Sequence, residues 1–220
     1  MNRTRVKICG ITRPEDAVAA TESGADAIGL VFWPGSKRAI DADRAAMIVS
    51  TLPPSVAIVG VFVDPSLDDV MRISDGVGIT AAQVCGNRND QDWSQLPRTL
   101  KIIRALAITV DSIPSALARI VGVSDYLVDN GIAGHPGGTG QAYDWSLANR
   151  IKPFGRVWLA GGLTPQNVSD AIAVARPHAV DVSGGVEIAP GIKSIELIRS
   201  FIEAVHRADY ALAKGEKSAH

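Results

Sequence analysis

Hydrophobic residues in this chain come in short continuous runs rather than in strict alternation. Eight runs stand out: Val6–Ile11, Ala27–Phe32, Ala57–Val63, Ala81–Cys85, Lys101–Leu106, Tyr126–Asn130, Val157–Ala160 and Ala179–Val182. Each has the length of a strand. A run that is apolar at successive positions buries both faces, as a parallel strand covered by helices does; a half-exposed antiparallel strand alternates instead. Between the runs lie stretches with helical spacing, among them Pro14–Glu22, Arg44–Leu52, Leu67–Ser74, Ile113–Val121 and Pro165–Val174. Several open alike. Thr12 with Pro14, Asp64 with Pro65 and Thr164 with Pro165 each pair a capping side chain with a proline, which lacks the N–H that a helix start leaves unbonded. Thr12 and Glu15 also have the spacing of a capping box.

Strand followed by helix, eight times within 220 residues, predicts an α/β protein: a single (β/α)8 TIM barrel with eight parallel strands. A doubly wound open sheet is the structural rival. It usually places a G-x-G-x-x-G turn after its first strand, and Cys9-Gly10-Ile11-Thr12 is not one. The barrel is expected to occupy residues 1–210 and the polar tail 211–220 to fray. Such a barrel does its chemistry at the C-terminal ends of its strands. There the polar and glycine residues gather: Cys9-Gly10, Trp33 to Arg38, Asp64, Gln83 with Cys85-Gly86, Arg104, Asp129-Asn130, Gly161-Gly162 and Ser183 to Gly185.

Composition narrows the function. With 46% hydrophobic residues the chain can bury a full core, and its 22 basic residues nearly balance 23 acidic ones. No basic stripe marks a nucleic-acid binder. Gly or charge interrupts every apolar run, so no membrane partner is expected. Met1 to Arg5 leads into a strand rather than a signal peptide, which points to the cytoplasm. Two distant cysteines give no disulfide framework, and with four histidines they show no metal-ligand spacing.

Cys9 is the first residue to explain, because it ends a strand and is followed by a glycine that frees the backbone. Lys7, Cys9 and Ile11 share one strand face. A free thiol is only a few per cent thiolate at neutral pH, and a lysine two positions away raises the fraction able to take a proton. A small buried hydrophobe is the plainer role for a cysteine; placement beside Gly10 favours chemistry. Asp129 closes Tyr126-Leu127-Val128-Asp129 and faces inward if Leu127 does. Burial there would raise its pKa and let it hold a proton for delivery. A base and an acid on strands one and six suit proton shuttling.

The last two loops, Gly161-Gly162-Leu163-Thr164-Pro165-Gln166-Asn167 and Ser183-Gly184-Gly185-Val186-Glu187, read as glycine turns after a strand, and barrels often bind phosphate there. Tight turns alone are the competing explanation. Arg38 could clamp a carboxylate in bidentate fashion or be a solvated surface residue; spacing alone leaves both open. The segment Gly134 to Gln141 reads as a lid, with His135 exposed rather than catalytic.

At these residues the chain resembles the phosphoribosylanthranilate isomerases of tryptophan biosynthesis. The resemblance rests on Val6-Lys7-Ile8-Cys9-Gly10-Ile11-Thr12, Gly29 to Phe32, Ser36-Lys37-Arg38, Gly60 to Val63 and Leu127-Val128-Asp129. It continues through Gly137 to Gly140 with Tyr143-Asp144-Trp145, Leu159 to Leu163, Asp181-Val182-Ser183 and Gly185-Val186-Glu187. It implies a (β/α)8 barrel and a cofactor-free Amadori rearrangement of a small phosphoribosyl substrate, by a monomer or homodimer. Asp129 would be the general acid and Cys9 the general base. Lys7, Arg38, Gly161, Gly162, Asn167, Asp181, Ser183, Gly184 and Gly185 would bind substrate, Arg38 at the anthranilate carboxylate and the glycine loops at the phosphate. Two departures stand against the family pattern: Cys85 where the family usually shows histidine, and Gly184 where it usually shows a second serine.

Two rival functions remain open to these residues. A barrel isomerase acting on the related ribotide of histidine synthesis tends, by family resemblance, to use two aspartates rather than Cys9 and Asp129. A silent paralogue that only binds a sugar phosphate would have no chemical need of either residue.

Overall fold

The structure, a computed structural model, describes residues 3–86, 92–107, 120–123, 125–129 and 144–217. Eight parallel strands close on themselves in chain order: β1 (Arg5–Cys9), β2 (Ala27–Val31), β3 (Ala57–Val63), β4 (Ala81–Cys85), β5 (Lys101–Ala107), β6 (Asp125–Asp129), β7 (Arg156–Leu159) and β8 (Ala179–Val182). The expected barrel is therefore the observed one, and each expected run overlaps a strand. The seam is β1 against β8, with Lys7 opposite Asp181.

Alternation sorts the strands into two shells. Ile8, Ile28, Leu30, Ile58, Phe62, Val128 and Leu159 point out into the layer between strands and helices. Ala27, Val59, Ala81, Ile103 and Leu127 point in and fill the barrel. Each fully buried Ile or Leu of the outer shell contributes about 1.5–3 kcal/mol by leaving water.

Among the described residues, the α-helices are α1 (Pro14–Glu22), α2 (Ala42–Val49), α3 (Leu67–Val77), α4 (Val168–Ala175) and α5 (Ile195–Lys217). Their starts correct the capping expectation. Arg13 stands at the N-cap of α1 with no side-chain cap, and Thr12 instead donates its hydroxyl to the Gly191 carbonyl. The cap of α3 is a Ser66–Asp69 box, one turn position beyond Asp64-Pro65. Thr164 caps a turn, accepting from the Gln166 N–H, and α4 begins only at Val168. The expected helix over Ile113–Val121 falls mostly outside the described residues, as do Asn130 and the Gly134–Gln141 lid.

Helix α5 continues to Lys217, beyond residue 210 where the polar tail was expected to begin. Helix α5 buries Ile198, Phe201, Ile202, Val205 and Ala208, and Leu212 continues that stripe onto the core. Spacing of three and four residues keeps one face apolar past residue 210, and the helix follows it. Between β8 and α5 the chain inserts a small antiparallel hairpin, β9 (Glu187–Ala189) and β10 (Ile192–Lys193).

Candidate active site

Cys9 ends β1 on the inner face, 9% exposed, among Val31, Val61, Trp33 and Cys85. Lys7 lies one inward position below it and is fully buried. Room for both comes from Gly29 on the neighbouring strand: a Cβ there would meet the Cys9 Sγ at 2.7 Å and the Lys7 Cε at 3.0 Å. The Lys7 ammonium donates to the Gln83 Oε1 (2.8 Å) and the Asp181 Oδ2 (2.9 Å). Burial acts to lower its pKa, but Asp181 and Cys9 outweigh burial and raise it well above the ordinary lysine value. Burial also pushes the Cys9 thiol up, Asp181 adds to this, and Lys7 and Lys193 pull back.

Lys7 and Asp181 were expected among the substrate-binding residues; the fold bonds them to each other beneath Cys9. Asn167 is likewise engaged with its own loop, accepting from the Thr164 N–H (2.8 Å) and donating to the Gly162 carbonyl (2.9 Å). It shapes the turn in which Gly161 and Gly162 take positive φ (86° and 67°), a conformation glycine adopts without a Cβ penalty. Ser183 follows β8, and Gly184 and Gly185 open a single 3₁₀ turn ending at Val186. A Cβ on Gly185 would collide with the Leu163 carbonyl, so the last two loops pack directly on one another. Asp129 ends β6, partly buried, two residues beyond the inward Leu127. By alternation it projects into the barrel mouth from two strands beyond the seam.

Arg38 arches from the loop after β2 across Gly10, where any Cβ would strike its side chain. Its Nε and Nη2 donate to both oxygens of Glu187, at 2.8 and 2.6 Å. The Lys193 ammonium, fully buried, donates to the same carboxylate (2.7 Å) and to the Cys9 carbonyl (2.6 Å). Burial would raise Glu187, but the hydrogen bonds from Arg38 and Lys193 win and hold it below the ordinary carboxylate value. Glu187 and Lys193 were missed as site residues: both sit on a hairpin of three- and two-residue strands, too short to read from periodicity. Cys85 ends β4 with its thiol pushed up to about 11 by burial, so it presents a neutral group.

Among the described residues no group of His, Cys, Asp and Glu is arranged to hold a metal. No described helix is long and apolar enough to cross a membrane.

The model of the N-(5′-phosphoribosyl)anthranilate isomerase family matches residues 6–204. The chain belongs to that family. A relative named N-(5′-phosphoribosyl)anthranilate isomerase, from Pseudomonas fluorescens, is 47% identical over 208 residues, covering 93% of this chain and all of the relative. Phosphoribosyl anthranilate isomerase from Thermotoga maritima superposes with a TM-score of 0.82 at 37% identity, over 93% of this chain and 99% of that one. A phosphoribosyl anthranilate isomerase solved with reduced 1-(o-carboxyphenylamino)-1-deoxyribulose 5-phosphate gives 0.75 at 36%, with the same coverage. Membership in the family makes this protein an isomerase.

Proposed function

We propose that the protein converts N-(5′-phosphoribosyl)anthranilate to 1-(o-carboxyphenylamino)-1-deoxyribulose 5-phosphate in tryptophan biosynthesis, with no cofactor. The observation that carries the mechanism is the seating of Cys9 on a buried cation at the inward end of β1, with Asp129 ending β6 on the same inner face. Asp129 donates its proton to the ribose ring oxygen as the C1′–O bond breaks, leaving a Schiff base of the anthranilate nitrogen. Cys9 then takes the proton from C2′. The electrons of that C–H bond form the enolamine, which tautomerises to the ketone. The net change moves hydrogen within one molecule, so no oxidant or reductant is needed. Burial favours the neutral thiol, and Lys7 and Lys193 favour its anion; the reaction is therefore expected to quicken as pH rises toward the Cys9 pKa.

Phosphate is assigned to the Gly161-Gly162 and Ser183–Gly185 loops, whose glycine backbone lets N–H groups approach an anion closely. The anthranilate carboxylate is assigned to Arg38. The relative solved with the reduced product analogue supports this substrate class. The test follows anthranilate fluorescence as purified protein consumes phosphoribosylanthranilate. Turnover is expected to survive EDTA and to fall by about 10²–10⁴ in Cys9→Ala and in Asp129→Asn. No turnover by folded wild type overturns the assignment and turns attention to a related ribotide.

A further inference from the structure

The hairpin that separates β8 from α5 places two charged side chains inside the site. Glu187 opens β9 and Lys193 closes β10, and their side chains are 5% and 0% exposed. Lys193 is anchored to Glu187, to the Cys9 carbonyl and to the carbonyl (3.3 Å) and hydroxyl (3.5 Å) of Ser183. Its backbone N–H donates to the buried Asp16 carboxylate, which also receives the Arg13 guanidinium. Glu187 is thus held from behind and cannot drift with Arg38.

A guanidinium offers five N–H donors in two forks, a side edge of Nε with one Nη and an end edge of both Nη nitrogens. Glu187 takes the side edge with both oxygens. The N–H groups of the end edge have no partner among the described residues. Charge points the same way. Arg38 and Lys193 carry two positive charges and Glu187 one negative, so one positive charge remains for an incoming anion. On the opposite flank stands Gly184, where a Cβ would reach the Arg38 Nη2 at 3.4 Å.

We propose that Glu187, backed by Lys193, is a positioning residue for this reaction: it grips the side edge of Arg38 so that the end edge meets the carboxylate of the substrate. The inference rests on the substrate reading above. Without the grip Arg38 keeps its charge and loses its direction, so the loss falls on substrate docking more than on proton transfer.

The experiment is steady-state kinetics on phosphoribosylanthranilate for wild type, Glu187→Gln, Arg38→Met and the double variant, with Tm recorded for each. Glu187→Gln is expected to raise KM about tenfold while kcat changes less than threefold. Because Glu187 acts through Arg38, the double variant should be no worse than Arg38→Met alone. Glu187→Asp keeps the charge beside Lys193 and should recover part of the KM; it also serves as the test variant if the glutamine protein does not fold. Active wild type with an unchanged KM in the Glu187 variants overturns the inference and leaves the substrate reading intact. So does a double variant whose losses multiply. Inactive wild type overturns the substrate reading and the inference together.

Discussion

Of the ion pairs at and just before β1, Arg3 with Asp26 and Lys7 with Asp181 differ in almost everything except charge. Below the strand, Arg3 grips both oxygens of Asp26 (2.9 and 2.6 Å) while its own side chain stays 54% exposed. Inside the barrel, Lys7 meets Asp181 at 2.9 Å with both side chains out of water. The lower pair is the better hydrogen-bonded, yet water screens it and such pairs are worth about 0–1 kcal/mol. The inner pair loses far more solvation, and a well-packed hydrophobic pair would often be at least as stable there. Fold stability therefore does not explain a cation inside the barrel. Its neighbour does: Lys7 favours the anionic form of Cys9, which burial opposes.

The largest effect that breaks the comparison is Lys7→Met. Asp181 is then buried without its cation, and removing one partner of such a pair costs about 3–5 kcal/mol, readable in the urea midpoint. Adding Asp181→Leu should return much of that stability and none of the activity. A double variant as active as wild type would show that the pair serves the fold after all.

A smaller effect comes from the second interior thiol, and it is pH-dependent. Below about pH 9 Cys85 is protonated in the folded and the unfolded chain, so its contribution to stability is complete. Between about 9 and 11 the unfolded chain releases that proton while the folded one keeps it, and stability falls as pH rises. Cys85→Ala should flatten this decline, measured as the urea midpoint near about pH 8 and about pH 10.5; an unchanged slope would remove Cys85 as its source. The smallest effect is Arg3→Ala. Stability should move by less than about 1 kcal/mol and kcat/KM not at all, and a loss of activity there would erase the contrast between the two pairs.

The barrel was legible because its strands are apolar on both faces, which few other arrangements need. The inward parity of Lys7 and Cys9 was legible too, since a two-residue repeat fixes faces without knowing the partner. What Lys7 bonds was not, because Asp181 lies 174 residues away. The same holds for Lys193, 184 residues from the Cys9 carbonyl it holds. Thr12 misled for a related reason. Its spacing to Glu15 suits a cap, but the Gly191 carbonyl across the hairpin is a competing acceptor that no local pattern reveals. Polar side chains choose partners by tertiary placement, and that choice is invisible to a periodicity.

The closing seam also sets a schedule. Strand β1 is made first, and its partner β8 brings Asp181 only after 174 further residues. At 5–20 residues per second, β1 waits roughly 10–35 s on the ribosome with one edge unpaired. Throughout that interval Lys7 has no Asp181, Cys9 has no Lys193, and the unpaired strand is open to any other edge in reach. Synthesis of β8 and of the hairpin after it therefore both ends the exposure and brings β1 its two buried partners, Asp181 and Lys193.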